Sequence, residues 1–291
     1  PSYQSFSKPV RVRLRSGEEK NVTLALPEVS FVDYRITDAA GFAMPGKLTF
    51  VSLDKDDRAL DGPGEAGVPL DQILDLSADV VDGVLDWVAP PGRWRILRFG
   101  SSPTGHQNAP APLEATGLEV DKLDPARVEA YLERWLGIIR DAVGPDLIGE
   151  RGIRSLLSDS IESGPQNWSE VLPAEFARRR GYELLRWLPA MAGYLVVDAA
   201  ASDRVLADVR RTIAELVAES YYGTVARVAH RWGLTYFAEA LEDHRPQLGD
   251  DLAMRSRADI PMGAMWVYRE APMPTYVADL RGASSVAHVW G

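Results

Sequence analysis

The segment Leu156–Trp168, which reads LLSDSIESGPQNW, decides how the rest of the chain is interpreted. Residues 152–157 are apolar between glycine-rich and polar flanks, which predicts a short buried strand that includes Ile153 and Leu157. Directly after this strand come side chains of the kinds that move protons and bind sugars: Asp159, Glu162, Gln166, Asn167 and Trp168. Carboxylates transfer protons, amides bind hydroxyl groups at fixed angles, and an indole ring covers the apolar face of a pyranose. The segment therefore favours a sugar site, although it is equally typical of a loop that caps a helix.

The organisation of the chain changes near residue 93. Before it, short apolar runs are separated by Pro, Gly and Asp, which is typical of a sandwich-like β module. The strands predicted in this part cover residues 10–15, 22–26, 31–36, 47–53 and 84–88. After it, strands alternate with long helices, which predicts an α/β fold with a parallel sheet. We therefore predict a β-rich accessory segment at residues 1–92 and a second domain at residues 93–291.

The elements of the second domain are predicted from periodicity and capping residues. A helix should begin at Pro125 after the N-cap Asp124, and the longest helix should begin at a Ser202–Asp203 cap. The predicted helices cover residues 125–143, 173–188, 203–231 and 276–289. The predicted strands cover residues 94–99, 152–157, 234–238 and 260–266.

Parallel strands joined by helices are the repeating unit of a (β/α)8 barrel, whose active site lies at the carboxyl ends of the strands. Acidic clusters follow two predicted strands, at residues 159–162 and 239–244, and a neutral turn at residues 100–105 follows another. About four barrel-type strands are recognisable, against the eight that close a barrel. We therefore predict the N-terminal part of a (β/α)8 TIM-type barrel, incomplete in this chain.

The composition excludes several classes of function. The chain has 291 residues, 46% of them hydrophobic, which is enough for real cores. A net charge of −10 argues against nucleic acid as a partner, and no apolar run is long enough to span a membrane. The absence of cysteine excludes disulfides and thiolate catalysis, and it leaves the compartment open.

Several short motifs, in a fixed order from about residue 87 to residue 291, carry a resemblance to a known family. Besides residues 159–162 and 166–168, they are WRILRFG at 94–100, TG at 104–105, GLEVDK at 117–122, FARRRGY at 176–182 and DIPMG at 259–263. Together these motifs resemble glycoside hydrolase family 106, the α-L-rhamnosidases. One position departs from the pattern: Ala264 stands where many members have Glu, which puts any role for that position in doubt.

The resemblance implies a catalytic (β/α)8 barrel with accessory β domains, inversion at the anomeric carbon and a calcium ion in the sugar pocket. It implies Glu162 as the general acid, and it places the general base a few residues beyond Gly291. It also favours a bacterial protein that is periplasmic or secreted. An inverting pair of carboxyl groups is separated by roughly 6.5–9.5 Å, and the acid needs a raised pKa, to which a neighbour such as Asp159 contributes.

Further site residues are predicted from their positions near strand ends. His106, His244 and Glu239 are candidates for binding sugar hydroxyls, beside Asp159 and the amides and indole of the opening segment. Hard oxygen ligands suit calcium, and the candidate ligands are Glu119, Asp121, Glu239 and Asp243. Each of these acids is equally well explained as a solvated loop residue or a helix cap.

Two alternatives to an inverting rhamnosidase stay open at this point. One is a retaining glycosidase on a similar barrel, with a second carboxylate about 5–5.5 Å from Glu162. The other is a non-catalytic carbohydrate-binding protein, which Ala264 and the missing second acid favour. No HExxH, phosphate-binding loop or nucleophile elbow occurs, so metalloprotease, nucleotide and α/β-hydrolase functions have little support.

Overall fold

The computed structural model of the chain describes residues 67–108, 111–161, 166–240, 249–264 and 274–290. Residues Gly62–Gly291 form one compact unit. The strands predicted between residues 10 and 53 lie outside the described residues, and the predicted domain boundary at residues 92–93 stays a prediction. In the described part before that boundary, β1 (Val80–Val81) pairs with β2 (Val84–Leu85) in a small antiparallel hairpin, shorter than the strand predicted at 84–88.

A parallel three-stranded sheet lies at the centre of the described residues. It consists of β3 (Ser155–Ser158), β4 (Thr235–Ala238) and β5 (Ile260–Pro261), in that order. Ser158 lies opposite Ala238, and Ala238 lies opposite Pro261. The predicted strands at 152–157 and 234–238 are thus confirmed with small shifts at their ends, and the carboxyl ends of all three strands meet along one edge.

Helices connect these strands, as the alternating pattern predicted. They are α1 (Pro125–Val143), α2 (Leu172–Arg180), α3 (Leu188–Met191), α4 (Ala199–Leu216), α5 (Gly223–Arg231), α6 (Asp251–Arg255) and α7 (Pro274–Trp290). A π-helical segment, Val217–Tyr222, joins α4 to α5 without a break. Among the described residues, no helix has both the length and the apolarity that crossing a bilayer requires.

Aspartates cap the starts of the two longest helices that precede β4, α1 and α4. Asp124 caps α1 as predicted, because its carboxylate accepts from the backbone N–H of Ala126 at 2.9 Å. The predicted cap of the longest helix is wrong, since α4 begins after Asp198, whose side chain accepts from Ala201 N at 2.6 Å. Ser202 is instead buried inside the first turn, where its hydroxyl bonds the backbone of Val196.

The helix predicted over residues 173–188 is shorter than expected. It ends at Arg180, because Gly181 takes a left-handed conformation with φ 81° and terminates it. The FARRRGY motif is therefore a helix end with structural contacts. Phe176 is fully buried and packs edge-to-face on Tyr182 at 4.9 Å, and Arg179 and Arg180 bind Glu215 of α4.

The strand predicted at residues 94–99 is wrong, and the closed barrel is not seen. Residues 94–99 form no strand, because they pair with no strand of the described residues and are held by side-chain contacts instead, among them Arg95 over the ring of Tyr194 at 5.3 Å. Trp94 Nε1 donates to Pro90 O at 2.8 Å, and its ring meets Trp87 edge-to-face at 5.5 Å. The described sheets are small and unclosed, so the α/β class is confirmed while the barrel stays a proposal.

The two faces of the central sheet are covered differently. On one face Leu156, Tyr236 and Ala238 are buried, and α5 packs against β4. On the other face Leu157 is 59% exposed and Ile260 is 43% exposed. The hydrophobic core of the described chain therefore lies between the sheet and its helices.

Candidate functional site

Two acidic residues meet where β3 and β4 end. Asp159 follows Ser158 and Glu239 follows Ala238, and these strand ends are paired in register. The backbone N–H of Glu239 donates to Ser158 O at 3.1 Å, and that of Ile161 donates to Ala240 O at 2.9 Å. Asp159 is exposed, with one carboxylate oxygen accepting from Ser160 N at 2.8 Å. The predicted meeting of acids along one edge of the sheet is therefore found for Asp159 and Glu239.

Several predicted site residues cannot be placed. Glu162, Asp243 and His244 lie outside the described residues. Glu162 directly follows Ile161, which is buried. The chain is described again from Gln166, so an anchored residue stands on each side of residues 162–165.

Gln166 joins two loops through both ends of its amide. We call residues 117–124 the loop before α1, and the described residues 159–161 and 166–171 the post-β3 segment. Gln166 Nε2 donates to Asp121 Oδ1 at 2.5 Å, and Gln166 Oε1 accepts from Lys122 N at 3.3 Å. The other oxygen of Asp121 accepts from the buried hydroxyl of Ser169 at 2.6 Å. These contacts fix the two loops to each other, and sugar binding by Gln166 stays a prediction.

The loop before α1 is itself anchored by a buried lysine. Lys122 Nζ donates to Glu119 Oε2 at 2.5 Å and lies over the ring of Tyr221, 5.2 Å from its centroid. A cation over an aromatic face is stabilised by the ring quadrupole. Burial raises the pKa of Tyr221, so its hydroxyl stays neutral beneath the ammonium group. Tyr221 of the π-helical segment thus packs against Lys122 of the loop before α1.

The remaining predicted sugar ligands have mixed surroundings. Trp168 is partly buried and packs against the hydrophobic core, whereas Asn167 next to it is exposed. His106 is exposed in a loop where its carbonyl accepts from Glu119 N at 3.0 Å. Their roles as sugar ligands stay predictions, and Trp168 has a packing role whether or not a sugar contacts it.

The calcium candidates fall into two groups. Asp121 and Glu119 have their carboxylates bound by protein donors, among them a lysine, which does not fit a role as cation ligands. Glu239 is half-buried at the end of β4, and Asp243 lies outside the described residues. Within the described ranges no three His, Cys, Asp or Glu side chains come together in a group suited to a metal. Glu239 and Asp243 stay predicted calcium ligands.

Position 264 is tied to the neighbouring helix. The backbone N–H of Ala264 donates to Asp279 Oδ2 at 2.5 Å, and the other oxygen of Asp279 binds the buried Arg255. Arg255 also donates to Met262 O and pairs with Asp251 at 2.9 Å. This buried ion pair therefore fixes the chain just after β5.

Sequence reasoning missed Lys122, Ser169 and Tyr221. Only the GLEVDK motif pointed to the first of them, and it did so without indicating a role. The hydroxyl of Ser169 also accepts from Val171 N at 3.4 Å, just before α2. No periodic signal marks Tyr221, because a π-helical segment breaks the helical repeat around it.

The chain is similar over most of its length to proteins named as glycosidases. The family model described as alpha-L-rhamnosidase matches residues 24–291. The structure of a rhamnosidase from Novosphingobium sp. PP1Y matches with a TM-score of 0.70 and 48% identity, over 78% of this chain and 22% of that one. A protein of Formosa agariphila that is named provisionally as a beta-glucuronidase is 34% identical over 296 residues, covering 96% of this chain and 24% of its own length. The chain thus spans less than a quarter of either relative.

Proposed function

Because the chain belongs to the alpha-L-rhamnosidase family, glycoside hydrolase family 106, we propose that it forms part of an enzyme that hydrolyses α-L-rhamnosidic bonds in a carbohydrate substrate. The observation that carries the proposal is the meeting of two acid-bearing strand ends, at Asp159 and Glu239, in a chain of this family. Acids at the carboxyl ends of adjacent parallel strands are where α/β enzymes place their catalytic groups.

We also propose that β3, β4 and β5 are consecutive strands of a (β/α)8 barrel. Their order in the sheet follows their order in the chain, and helices connect them. The exposed apolar face, with Leu157 and Ile260, would then point into the barrel interior, which side chains normally fill.

The proposed mechanism is inversion with two carboxyl groups. Glu162 would donate its proton to the glycosidic oxygen as the bond from that oxygen to the anomeric carbon breaks. A carboxylate on the opposite face would take a proton from the water that attacks the anomeric carbon. The resemblance places this base beyond Gly291. Support for the acid comes from Ile161, the residue before Glu162, which is bound to Ala240 beside Glu239.

The test is Glu162→Gln in the whole protein, with any residues that flank 1–291. We expect kcat on a rhamnoside with a poor leaving group to fall by about 10²–10⁴, the usual range for general acid catalysis. A good leaving group needs less protonation, so the loss on an aryl rhamnoside such as the dinitrophenyl compound should be smaller. Proton NMR of fresh product should show the β anomer. A loss that is equal on both substrates would refute Glu162 as the acid, and retention would refute the mechanism.

The matched control is Glu170→Gln, the same change in the same segment. Glu170 forms an exposed ion pair with Arg127 at 3.2 Å. Such pairs contribute about 0–1 kcal/mol, so this variant should keep wild-type activity and stability.

Hydrolysis of a β-glucuronide is the second candidate, favoured by the name of the Formosa agariphila relative. A glucuronide carries a carboxylate that needs a cationic partner. The described strand ends carry Asp159 and Glu239, and the nearby Lys122 is already paired with Glu119, so the neutral rhamnoside fits better. Turnover of an aryl β-D-glucuronide without turnover of the aryl α-L-rhamnoside would reverse this choice.

A further inference from the structure

The described residues on each side of residues 162–165, Ile161 and Gln166, are anchored to other parts of the chain. On one side Ile161 is buried and its N–H donates to Ala240 O at 2.9 Å. On the other side the Gln166 amide is bound to the loop before α1 at Asp121 and Lys122. The second anchor consists of side-chain contacts, so single substitutions can remove it.

Asp121 is the centre of the second anchor. Its Oδ1 accepts from Gln166 Nε2 at 2.5 Å and from Leu123 N at 3.0 Å, and its Oδ2 accepts from Ser169 Oγ at 2.6 Å. Hydrogen bonds to an ionised carboxylate are shorter and stronger than those between neutral groups. One carboxylate therefore binds two residues of the post-β3 segment and the backbone of its own loop.

The loop that carries Asp121 has little freedom to move. The next residue, Lys122, is buried, paired with Glu119 and stacked over Tyr221. Two residues after Lys122, Asp124 caps the start of α1. Asp121 thus has a rigid base from which to hold the post-β3 segment.

We propose that Asp121 is a positioning residue of this enzyme: through Gln166 and Ser169 it fixes the chain that follows Glu162, and it thereby supports the proton transfer that the proposed function assigns to Glu162. The kinetic part of this inference rests on the proposed function. Both carboxylate oxygens of Asp121 are bound by protein donors, so its effect passes through the general acid. Misplacing a catalytic group by about 1 Å lowers a rate by up to about 10²-fold.

The kinetic test uses Asp121→Ala, Asp121→Asn and Gln166→Ala in the whole protein. Asp121→Ala and Gln166→Ala should lower kcat on a poor leaving group by about 10- to 10²-fold, with a smaller loss on a dinitrophenyl rhamnoside. Asp121→Asn should recover part of the loss. Its amide oxygen still accepts from Gln166, and its NH₂ group can donate to the Ser169 hydroxyl. Combining Asp121→Ala with Glu162→Gln should add little, because both changes act on the same proton transfer.

Asp124→Ala is the matched control. Asp124 is a carboxylate of the same loop, but its partners are Ala126 N, Arg127 N and Arg127 Nε, all on α1. Its loss weakens a helix cap and removes no hydrogen bond made directly to the post-β3 segment. Equal losses on both leaving groups in Asp121→Ala and Gln166→Ala, or losses no larger than in Asp124→Ala, would overturn the inference.

A second measurement does not depend on activity. Amide hydrogen exchange of residues 158–161 and 166–169 should become about tenfold faster in Asp121→Ala and Gln166→Ala, since one charged hydrogen bond changes an opening equilibrium by about that factor. Asp124→Ala should leave these amides unchanged. If the wild type cleaves no rhamnoside, the proposed function fails and exchange alone decides whether Asp121 holds the segment. Unchanged exchange rates in these variants would overturn the inference. If Asp121→Ala does not fold, Asp121→Asn and Gln166→Ala are used for both the kinetic and the exchange measurements.

Discussion

The two faces of the central sheet differ in what covers them, although the same strands supply both. On the helix side Leu156 is 8% exposed and Tyr236 is fully buried. On the opposite side, the neighbouring Leu157 is 59% exposed. Two adjacent leucines in one strand thus have opposite environments, because successive side chains in a strand point to opposite faces.

The covered face shows the hydrophobic core that the described residues form by themselves. The exposed face shows the apolar surface that the proposed barrel would bury in addition. The helix side has a continuous core that runs from α1 through α4 and α5 to the sheet. The other side presents apolar side chains of the kind that fill a barrel interior. If the barrel proposal is correct, the second face becomes buried only when the other barrel strands are present.

The largest expected effect comes from truncating the two leucines separately. Leu156→Ala in the 291-residue chain should lower the free energy of unfolding by about 2–5 kcal/mol, because it leaves a cavity in the core. Leu157→Ala should change it by no more than about 0.5 kcal/mol, as exposed positions do. Urea unfolding measures both, with an unchanged m-value as evidence that only stability has altered.

The same pair of variants also tests the barrel. In the whole protein, with any residues that flank 1–291, Leu157→Ala should become as costly as Leu156→Ala, because a closed barrel buries both faces. A small effect of Leu157→Ala there would contradict the barrel. A large effect already in the 291-residue chain would contradict the difference between the two faces.

The sequence predicted the positions of the strands better than their pairing and their burial. A run such as residues 152–157 indicates an apolar strand, and β3 and β4 lie close to where they were predicted. We predicted this strand as buried, but burial depends on elements distant in sequence, and only Leu156 is covered. Residues 94–99 have equally good alternation, but they pair with no strand in the described part of the chain and form none there. Pairing and burial are therefore tertiary properties that a local pattern does not contain.

The second largest expected effect comes from breaking the ion pairs that join α2 to α4, on the helix side of the sheet. Burial acts to raise the pKa of Glu215, but hydrogen bonds from Arg180 and Arg179 outweigh it, so the pKa lies below the ordinary value of 4.5. Glu215→Gln should lower the free energy of unfolding near neutral pH by about 1.5–3 kcal/mol, the range for hydrogen bonds to charged groups.

The pH dependence of this difference has a definite sign. A carboxyl group whose pKa is lowered in the folded state stabilises fully above pH 4.5 and loses that contribution as the pH falls through the folded pKa. The difference between wild type and Glu215→Gln should therefore be constant above pH 4.5 and shrink below it. Asp141→Asn, which breaks the exposed pair with Arg140, is the control and should show almost no difference at any pH. A difference that grows on acidification would contradict the assigned pairing.

The sequence predicted which acidic side chains meet at the candidate site, but not the contacts that hold the neighbouring loops in place. Asp159 and Glu239 come together because parallel strands end along one edge, and that follows from the predicted topology. The contacts of Asp121 with Gln166 and Ser169 join residues far apart in sequence, and no motif spacing encodes them. Only the folded chain shows that Gln166, predicted as a sugar ligand, is already bound at both ends of its amide.

The smallest expected effect is that of one hydrogen bond on the helix face, between Ser158 Oγ and Tyr236 Oη at 2.7 Å. Burial raises the pKa of Tyr236, so its hydroxyl remains protonated and the bond persists at any pH at which the protein is folded. Tyr236→Phe keeps the ring and removes only the hydroxyl, so it should cost about 0.5–1.5 kcal/mol. Ser158→Ala should cost a similar amount, and the double variant should cost less than the sum, because both changes remove the same bond.

Although Ser158 directly precedes Asp159, the bond between Ser158 and Tyr236 lies on the face away from Leu157. We therefore expect kcat to fall by the same factor on good and poor leaving groups, if it falls at all. A loss confined to poor leaving groups would show that the helix face also positions the general acid, and the two faces would then not differ in function as they do in burial.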